Sequence, residues 1–235
     1  MTDEDEYVPK PYRVETAMRA SRDEVWESIT QPPVIRQWFG WDYEGLDAEI
    51  RQIFVDEAIL TAPERMGWSD GSYLEVAGDD DTSVIRAVRD GEPEAGEDRY
   101  DPIEEGWRSF LVQLRFLLDE RPAGRRRTVY LTGQAAGAAA LAAVGDGRDF
   151  ATAPRQRALV DADGHLVVVA THVPVDDADP GRVEVTVSTY GLDDGAFDAV
   201  HRRWADRWRA AVADADVTIA GEPAQPDTIE DFSAA

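Results

Sequence analysis

The chain has 235 residues, with 48 acidic side chains against 24 basic ones and a formal net charge of −24 at pH 7. A surface this acidic repels phosphate backbones and anionic lipid headgroups, so we expect neither nucleic acid nor a membrane as a partner. Lys10 is the only lysine, which argues against Walker-type phosphate loops, Schiff-base enzymes and kinase sites. The lack of cysteine excludes disulfides, thiol nucleophiles and cysteine-ligated zinc.

The N-terminal residues 1–10 form an acidic arm that we expect to be disordered. This arm lacks the basic and apolar regions of a signal peptide. The longest weakly apolar run, Ala135 to Val144, is too short to span a bilayer. These features predict a soluble, cytoplasmic protein.

The first half of the chain predicts a strand, helices, a meander and a long helix. Alternating apolar residues predict a strand over 11–19, and Ser21 with Glu24 has the spacing of a capping box. Two helices are expected between Ser21 and Gly40. Turn-rich sequence then separates short extended segments, which predict an antiparallel meander over 50–60, 65–68, 72–77 and 82–88. A long helix is expected from Pro102 to about Asp119, because its apolar residues fall on one stripe.

The second half repeats this order of elements in reduced form, which suggests an ancient duplication. Strands are expected at 126–132, 155–160, 165–173 and 182–190, and helices at 134–144 and 193–213. The sequence therefore predicts a disordered arm (1–10), a first domain (11–120), a linker (121–124), a second smaller α+β unit (125–217) and a flexible tail (218–235).

Motifs in the first half resemble those of a known family. The run Val25-Trp26-Glu27-Ser28-Ile29-Thr30, followed by Pro32-Pro33 and by Gln37-Trp38-Phe39-Gly40, resembles the helix-one and helix-two signature of START-like (SRPBCC) proteins. The run GWRSFL at 106–111 resembles the C-terminal helix of the AHSA-like branch, named for the activator of the heat-shock chaperone ATPase. The resemblance covers about residues 11–120. It departs from the family's paired-glycine strand, since Tyr43-Glu44-Gly45-Leu46 keeps one glycine at most.

The resemblance implies an α+β helix-grip fold, in which a curved antiparallel sheet wraps around the long C-terminal helix and often encloses an apolar cavity. We expect such a domain, followed by a second, smaller grip-like unit. Members of the family mostly bind hydrophobic small molecules, some cyclise polyketides, and a few act on chaperones. No catalytic constellation is shared among them, so the fold alone does not give the chemistry.

Seven side chains are candidates for lining a ligand cavity, because such pockets are mostly apolar with a few polar groups that fix orientation. They are Trp38, Phe39, Phe54, Trp68, Trp107, Phe110 and Leu114. The alternative is that these rings simply fill the core. Trp41 either belongs to the same aromatic set or lies on the surface.

Other motifs favour structural interpretations. Thr132 to Ala139 nearly matches the phosphate turn of short-chain dehydrogenases, but the Tyr-x-x-x-Lys pair of these enzymes is absent. His165 and His172 would face opposite sides of a strand, which disfavours a shared metal. Glu44, Glu49 and Glu57 would serve as acid or base only if buried. We therefore expect no cofactor, no metal and no catalytic residue.

Three functions remain open. The leading hypothesis is non-catalytic binding of a hydrophobic small molecule between sheet and long helix, driven by apolar burial. The second is a protein–protein interaction module linked to stress response or chaperones, which predicts a filled interior and a contiguous exposed apolar patch. The third is a polyketide cyclase or hydrolase-like enzyme in the same cavity, which needs a buried ionisable group with a perturbed pKa.

Overall fold

The computed structural model describes residues 10–61, 64–91 and 99–218, which form an α+β fold with two antiparallel sheets. Residues 1–9 of the predicted arm and the predicted tail from residue 219 onward lie outside the described residues. The described helices are α1 (Arg22–Thr30), α2 (Pro32–Ile35), α3 (Leu46–Arg51), α4 (Pro102–Glu120), α5 (Gly137–Val144) and α6 (Asp194–Ala211). Among them, none has the length and apolar composition that a membrane-spanning segment requires.

The two sheets share one strand order. Sheet A consists of β1 (Tyr12–Met18), β2 (Ile59–Thr61), β3 (Arg65–Gly67), β4 (Ser72–Gly78) and β5 (Ser83–Arg89), in the order β1-β5-β4-β3-β2. Sheet B consists of β6 (Arg126–Ala135), β7 (Arg148–Ala153), β8 (Gln156–Val160), β9 (Leu166–Thr171), β10 (Gly181–Tyr190) and β11 (Ala213–Thr218), in the order β11-β6-β10-β9-β8-β7. Apart from the added β11, each sheet places its first strand beside its last and then runs backward through the chain.

Side-chain caps fix the starts of α1 and α4. The Ser21 hydroxyl accepts a hydrogen bond from the backbone N–H of Glu24 at 3.1 Å, as the capping box predicts. Asp101 caps α4 by accepting from the N–H groups of Ile103 and Glu104, both at 2.9 Å. The long helix predicted from Pro102 is thereby confirmed.

Helix α4 packs against both sheets. Leu111 and Leu114 are buried in the core beneath sheet A, whereas Val112 and Phe116 face the other way. The second pair packs on a smaller apolar cluster of sheet B, formed by Phe150, Ala158, Leu166 and Val168. The opposite face of sheet B is covered by α5 and α6. The layers are therefore sheet A, α4, sheet B, and α5 with α6.

Polar bonds from the start of β6 also join the two halves. The buried guanidinium of Arg126 donates to the carbonyl oxygens of Phe39 at 2.9 Å and Gly40 at 2.8 Å, and it also donates to the Gln113 side chain. Burial lowers the pKa of Arg126. Nearby, the buried Asp42 accepts from the Thr128 N–H at 2.8 Å. These bonds hold the segment after α2 against sheet B.

One predicted segment has a different structure. Residues 50–60 were expected to be extended, but α3 continues into a π-helical segment, Gln52–Asp56, and only Ile59–Thr61 form a strand. Leu46, Ile50 and Phe54 are buried, and their spacing of four residues is that of one helix face. The sequence analysis also missed β7 and β11, because their sequences, RDFATA and ADADVT, are too polar and alanine-rich to show an apolar alternation.

Candidate functional site

The seven predicted cavity residues lie together in the apolar core between sheet A and α4. Their rings contact one another directly. The ring centroids of Phe39 and Phe110 lie 4.6 Å apart, and those of Phe39 and Phe54 lie 5.0 Å apart. Trp107 contacts Trp68 with a centroid distance of 5.6 Å. Such tilted and edge-to-face pairs are the ordinary packing of aromatic side chains in a core.

The polar atoms of two of these indoles are satisfied within the protein. The Nε1–H of Trp38 donates to the carbonyl oxygen of Ser28 at 2.9 Å, and that of Trp68 donates to the carbonyl oxygen of Ile53 at 2.8 Å. None of the seven residues lines either of the two cavities described below. Their contact with a ligand therefore stays a prediction.

Trp41 is buried, with 8% of its surface exposed, which rules out the surface position considered for it. It lies outside the aromatic core of the first half. Its ring instead stacks on Tyr130 of sheet B, with centroids 4.0 Å apart and planes 5° from parallel. Trp41 therefore contributes to the contact between the halves.

Burial shifts the pKa values of three ionisable side chains outside the aromatic core. Glu49 accepts a hydrogen bond from the Tyr43 hydroxyl at 2.6 Å, and burial raises the pKa of Glu49. Burial also raises the pKa of Glu105, which accepts from the side-chain amide of Gln156 at 3.0 Å. His172 stacks on a tyrosine ring, and burial lowers the pKa of His172.

The enzyme hypothesis requires such a group beside the predicted apolar cavity. Tyr43, which donates to Glu49, packs against the aromatic core, and a catalytic role for Glu49 stays a prediction. Glu49 was a candidate from the sequence, whereas Glu44 and Glu57 are exposed. The sequence around Glu105 did not indicate that this side chain is buried, because its partner Gln156 is 51 residues away in the chain. Burial of this kind arises only when distant elements meet.

Three large apolar side chains are exposed at or just before the β2 edge of sheet A. Val55, Ile59 and Leu60 are 47%, 60% and 54% exposed, and they are the large apolar side chains that are exposed within the described residues. Ile59 and Leu60 belong to β2, which pairs with β3 alone among the residues that the structure describes. The outer side of β2 therefore combines unpaired backbone groups with exposed apolar side chains.

A cleft runs over α4 between β1 and β7. Two cavities of about 650 Å³ and about 360 Å³ form it, and both are lined by Ala17 and Arg115. The larger one reaches the β4–β5 turn and the C-terminal end of α4. The smaller one ends near Gln156 in sheet B.

Three potential metal ligands lie in the turn between β8 and β9. Ligand atoms of Asp161, Asp163 and His165 lie within 4.8 Å of one another. Asp161 already accepts from the backbone N–H groups of Asp163 and His165, both at 2.9 Å, and Asp163 pairs with Arg203 at 2.7 Å. These hydrogen bonds and this ion pair explain the conformation of the turn.

Comparison with known proteins assigns no family or function to this chain. A scan against protein-family models gives no match to this chain, and a search of curated proteins gives none either. The START-like resemblance of the first half stays a prediction.

Proposed function

We propose that this protein is an interaction module that binds an extended segment of a partner polypeptide along the β2 edge of sheet A. The observation that carries this proposal is the exposed apolar patch of Val55, Ile59 and Leu60. An apolar patch of this kind on a strongly acidic protein is typical of a contact surface. An open strand edge supplies backbone donors and acceptors that a second strand can pair with.

The three residues of β2 include no charged side chain and no proline. Natural proteins place charged side chains or proline on free edges to prevent unwanted pairing. β1 follows this rule with exposed Arg13 and Glu15. The residues of β2 are Ile59, Leu60 and Thr61, and all three are exposed. Exposed apolar side chains at this edge favour a role in pairing with a partner strand.

The packing of the first half supports the same proposal. Trp38, Phe39 and Phe110 contact other rings of the core, and the Trp38 N–H has a protein partner. An interaction module is expected to have a filled interior and an exposed patch, whereas a carrier of apolar molecules needs space beside its aromatic rings.

We further propose that residues 11–120 are START-like and that each sheet is the core of a grip-type unit. Two observations support this. The strand order places β1 beside β5 and β6 beside β10. A long helix also packs on each sheet, α4 on sheet A and α6 on sheet B.

A peptide-display selection tests the β2 proposal. Random peptides would be selected for binding to the immobilised full chain. The affinity of the selected peptides would then be measured for the unchanged chain and for the Ile59→Glu/Leu60→Glu variant. We expect selected peptides to lose at least about ten-fold in affinity, equivalent to about 1.4 kcal/mol, because two charges replace the apolar contact. The matched control is Ala196→Glu/Ala199→Glu, which adds the same charge at exposed positions of α6.

The control variant is expected to bind the selected peptides as the unchanged chain does. Two results would contradict the proposal: no peptide enriched above background, or equal losses of affinity in both variants. Circular dichroism of each variant checks that the fold is retained.

Binding of a hydrophobic small molecule is the second candidate. The gathering of Trp38, Trp68 and Trp107 in one core between sheet A and α4 favours it. Mass spectrometry of an organic extract of the natively purified protein tests it. A stoichiometric apolar compound would support this candidate, and an extract without one would count against it.

A further inference from the structure

An apolar row crosses the inner face of sheet A and ends at the β2 edge. The register pairs give one member from each strand, in the order β1, β5, β4, β3 and β2: Val14, Ala87, Leu74, Met66 and Leu60. The first four belong to the core between sheet A and α4 and are at most 2% exposed, whereas Leu60 is 54% exposed. Leu60 is therefore the exposed end of an otherwise buried row.

Hydrogen bonds between β3 and β4 determine which way the backbone of β3 points. The N–H of Trp68 donates to the Ser72 carbonyl at 2.9 Å. The carbonyl of Glu64 accepts from the N–H of Val76, also at 2.9 Å. Successive residues of an antiparallel strand direct their backbone N–H and C=O groups to opposite sides. The even-numbered residues of this segment therefore direct their backbone groups to β4, and the odd-numbered ones direct theirs to β2.

The same alternation directs the backbone groups of Leu60 outward. The odd-numbered residues of β3 are Arg65 and Gly67, and their register partners in β2 are Thr61 and Ile59. The N–H and C=O groups of Thr61 and Ile59 are therefore directed to β3. Leu60 lies between them, so its own N–H and C=O point away from β3. The outward backbone pair and the exposed end of the apolar row thus belong to the same residue.

Two exposed carboxylates just before β2 bear on the charge of a partner that fits. Asp56 pairs with Arg51 at 3.3 Å. Glu57 accepts from the uncharged side-chain amide of Gln52 at 2.8 Å and forms no ion pair within the described part of the chain. On a protein with a net charge of −24, such a carboxylate attracts a basic group and repels an acidic one. The edge therefore fits a partner that is apolar and basic.

We infer that the partner segment binds antiparallel to β2, with an apolar residue directly opposite Leu60 and a basic residue on the C-terminal side of that residue. This inference rests on the proposed binding at the β2 edge and adds the orientation, the register and the chemistry of the partner. The apolar residue exchanges two backbone hydrogen bonds with Leu60, and its side chain extends the row that ends there. Its two neighbours lie opposite Ile59 and Thr61, and their backbone groups point away from β2.

The antiparallel orientation follows from the sheets themselves. Every strand pair of the described residues is antiparallel, and antiparallel pairing is slightly more stable per residue than parallel pairing. In this orientation, the partner residues that follow the apolar one pass Ile59 and continue toward Glu57. A basic side chain at that place lies close to the Glu57 carboxylate. A parallel segment would need its basic residue on the N-terminal side instead.

Backbone N-methylation of display-selected peptides tests the register. Each peptide would be synthesised with a single N-methyl group at successive positions, and its affinity for the full chain would be measured. The methyl group removes the N–H donor and adds bulk where two strands meet. We expect binding at least about ten-fold weaker when the methylated residue lies opposite Leu60. At its two neighbours, whose N–H groups point away from β2, we expect a change of less than about three-fold.

Double-mutant cycles identify the peptide residue that lies opposite Leu60. Peptides with alanine at each position would be measured against the unchanged chain and against Leu60→Ala. We expect a coupling of at least about two-fold at one apolar peptide residue, and this residue is the one that does not tolerate N-methylation. Ile59→Ala is the matched control, because Ile59 is also exposed, at 60%. It is expected to couple to the next residue toward the peptide C-terminus, which tolerates the methyl group.

The charge is tested in the same way. Glu57→Gln is expected to couple to a basic peptide residue, whereas Asp56→Asn, whose carboxylate already pairs with Arg51, is the control and is expected not to. Methyl sensitivity that does not alternate, a sensitive residue that couples to Ile59 instead of Leu60, or equal coupling of Glu57→Gln and Asp56→Asn would overturn the inference. The β2 proposal fails by a different result, in which the selected peptides bind Ile59→Glu/Leu60→Glu as tightly as the unchanged chain.

Discussion

Sheets A and B have the same strand order but differ in what covers them. In sheet B, β11 covers the outer side of β6, and helices pack on both faces. In sheet A the matching strand β1 pairs with β5 alone within the described part of the chain. The exposed large apolar side chains of the described residues also belong to the first half. The same backbone plan thus gives one sheet with helices on both faces and one sheet with a solvated face.

The outer face of sheet A is solvated and carries ion pairs between neighbouring strands. Arg86 pairs with Glu15 across β5 and β1 at 2.5 Å, and Arg65 pairs with Glu75 across β3 and β4 at 3.2 Å. Alternation of charged outward residues with apolar inward ones is typical of a sheet with one solvated face. Sheet B replaces this solvated face with the Val112 and Phe116 side of α4.

The largest expected effects come from one buried tryptophan in each half. The Trp38 N–H donates to Ser28 at 2.9 Å, and the Trp208 N–H donates to Thr132 at 2.8 Å. Trp38→Ala and Trp208→Ala are each expected to lower the free energy of unfolding by about 3–5 kcal/mol. Because α4 packs on both sheets, we expect urea denaturation of both variants to remain one transition by tryptophan fluorescence and circular dichroism. Two separate transitions would show that the halves unfold independently.

A somewhat smaller effect is expected where the two halves meet. Arg126→Met removes the donor to the Phe39 and Gly40 carbonyls, and we expect a loss of about 2–4 kcal/mol because these acceptors stay buried. The neighbouring Arg127→Met is the control, since Arg127 pairs with the exposed Asp194 and exposed pairs contribute about 0–1 kcal/mol. Equal losses in the two variants, measured by urea denaturation, would contradict this account of the contact.

One aspartate in a turn of each sheet has a lowered pKa, so substitutions of the two residues are expected to change stability in a pH-dependent way. Burial raises the pKa of Asp161, but hydrogen bonds from His165 lower it more, so the net pKa lies below the ordinary 3.8. The stability that this lowered pKa contributes is present above pH 3.8 and is lost as the pH falls through the folded-state pKa. Asp161→Asn is expected to lower the free energy of unfolding by about 1 kcal/mol at pH 7.

The difference in the free energy of unfolding between Asp161→Asn and the unchanged chain is expected to shrink as the pH falls below 3.8. Asp79, in the β4–β5 turn of sheet A, also has a lowered pKa through backbone N–H bonds from Asp81 and Thr82, but it is fully exposed. Asp79→Asn is therefore expected to have the smaller effect at pH 7. Urea denaturation between pH 3 and pH 7 measures both, and a larger effect at Asp79 would refute the comparison.

The smallest effect on stability is expected at the β2 edge. Ile59→Thr and Leu60→Thr change side chains that are 60% and 54% exposed. We expect each to change the free energy of unfolding by no more than about 0.5 kcal/mol. Ile85→Thr, at a fully buried position of sheet A, is the control and is expected to cost several times more. Thermal denaturation measures all three, and a large loss at Ile59 or Leu60 would assign these residues a structural role.

The sequence predicted best the elements whose signals are local. Ser21 and Asp101 cap helices that begin where polar residues precede apolar periodicity. The strand predicted around Ile53 was wrong, because the apolar residues of this segment fit the pattern of a strand as well as that of a helix. Packing against the core stabilises the helix. Among the seven cavity candidates, Trp107, Phe110 and Leu114 share one face of α4 because of their helical spacing. The other four reach the same core through packing of separate segments, which the local sequence does not show. The Trp41–Tyr130 stack had no local signal, because its partners are 89 residues apart.

The most direct test of the central claim is amide hydrogen exchange of the full chain with and without a peptide selected by display. The claim is that sheet A binds its partner through the β2 edge while its interior stays filled. We expect slower exchange at the amides of Ile59, Leu60 and Thr61 when the peptide is bound, with the amides of α4 unchanged. Protection confined to α4, with the β2 amides unchanged, would contradict the account and place the binding site between sheet and helix.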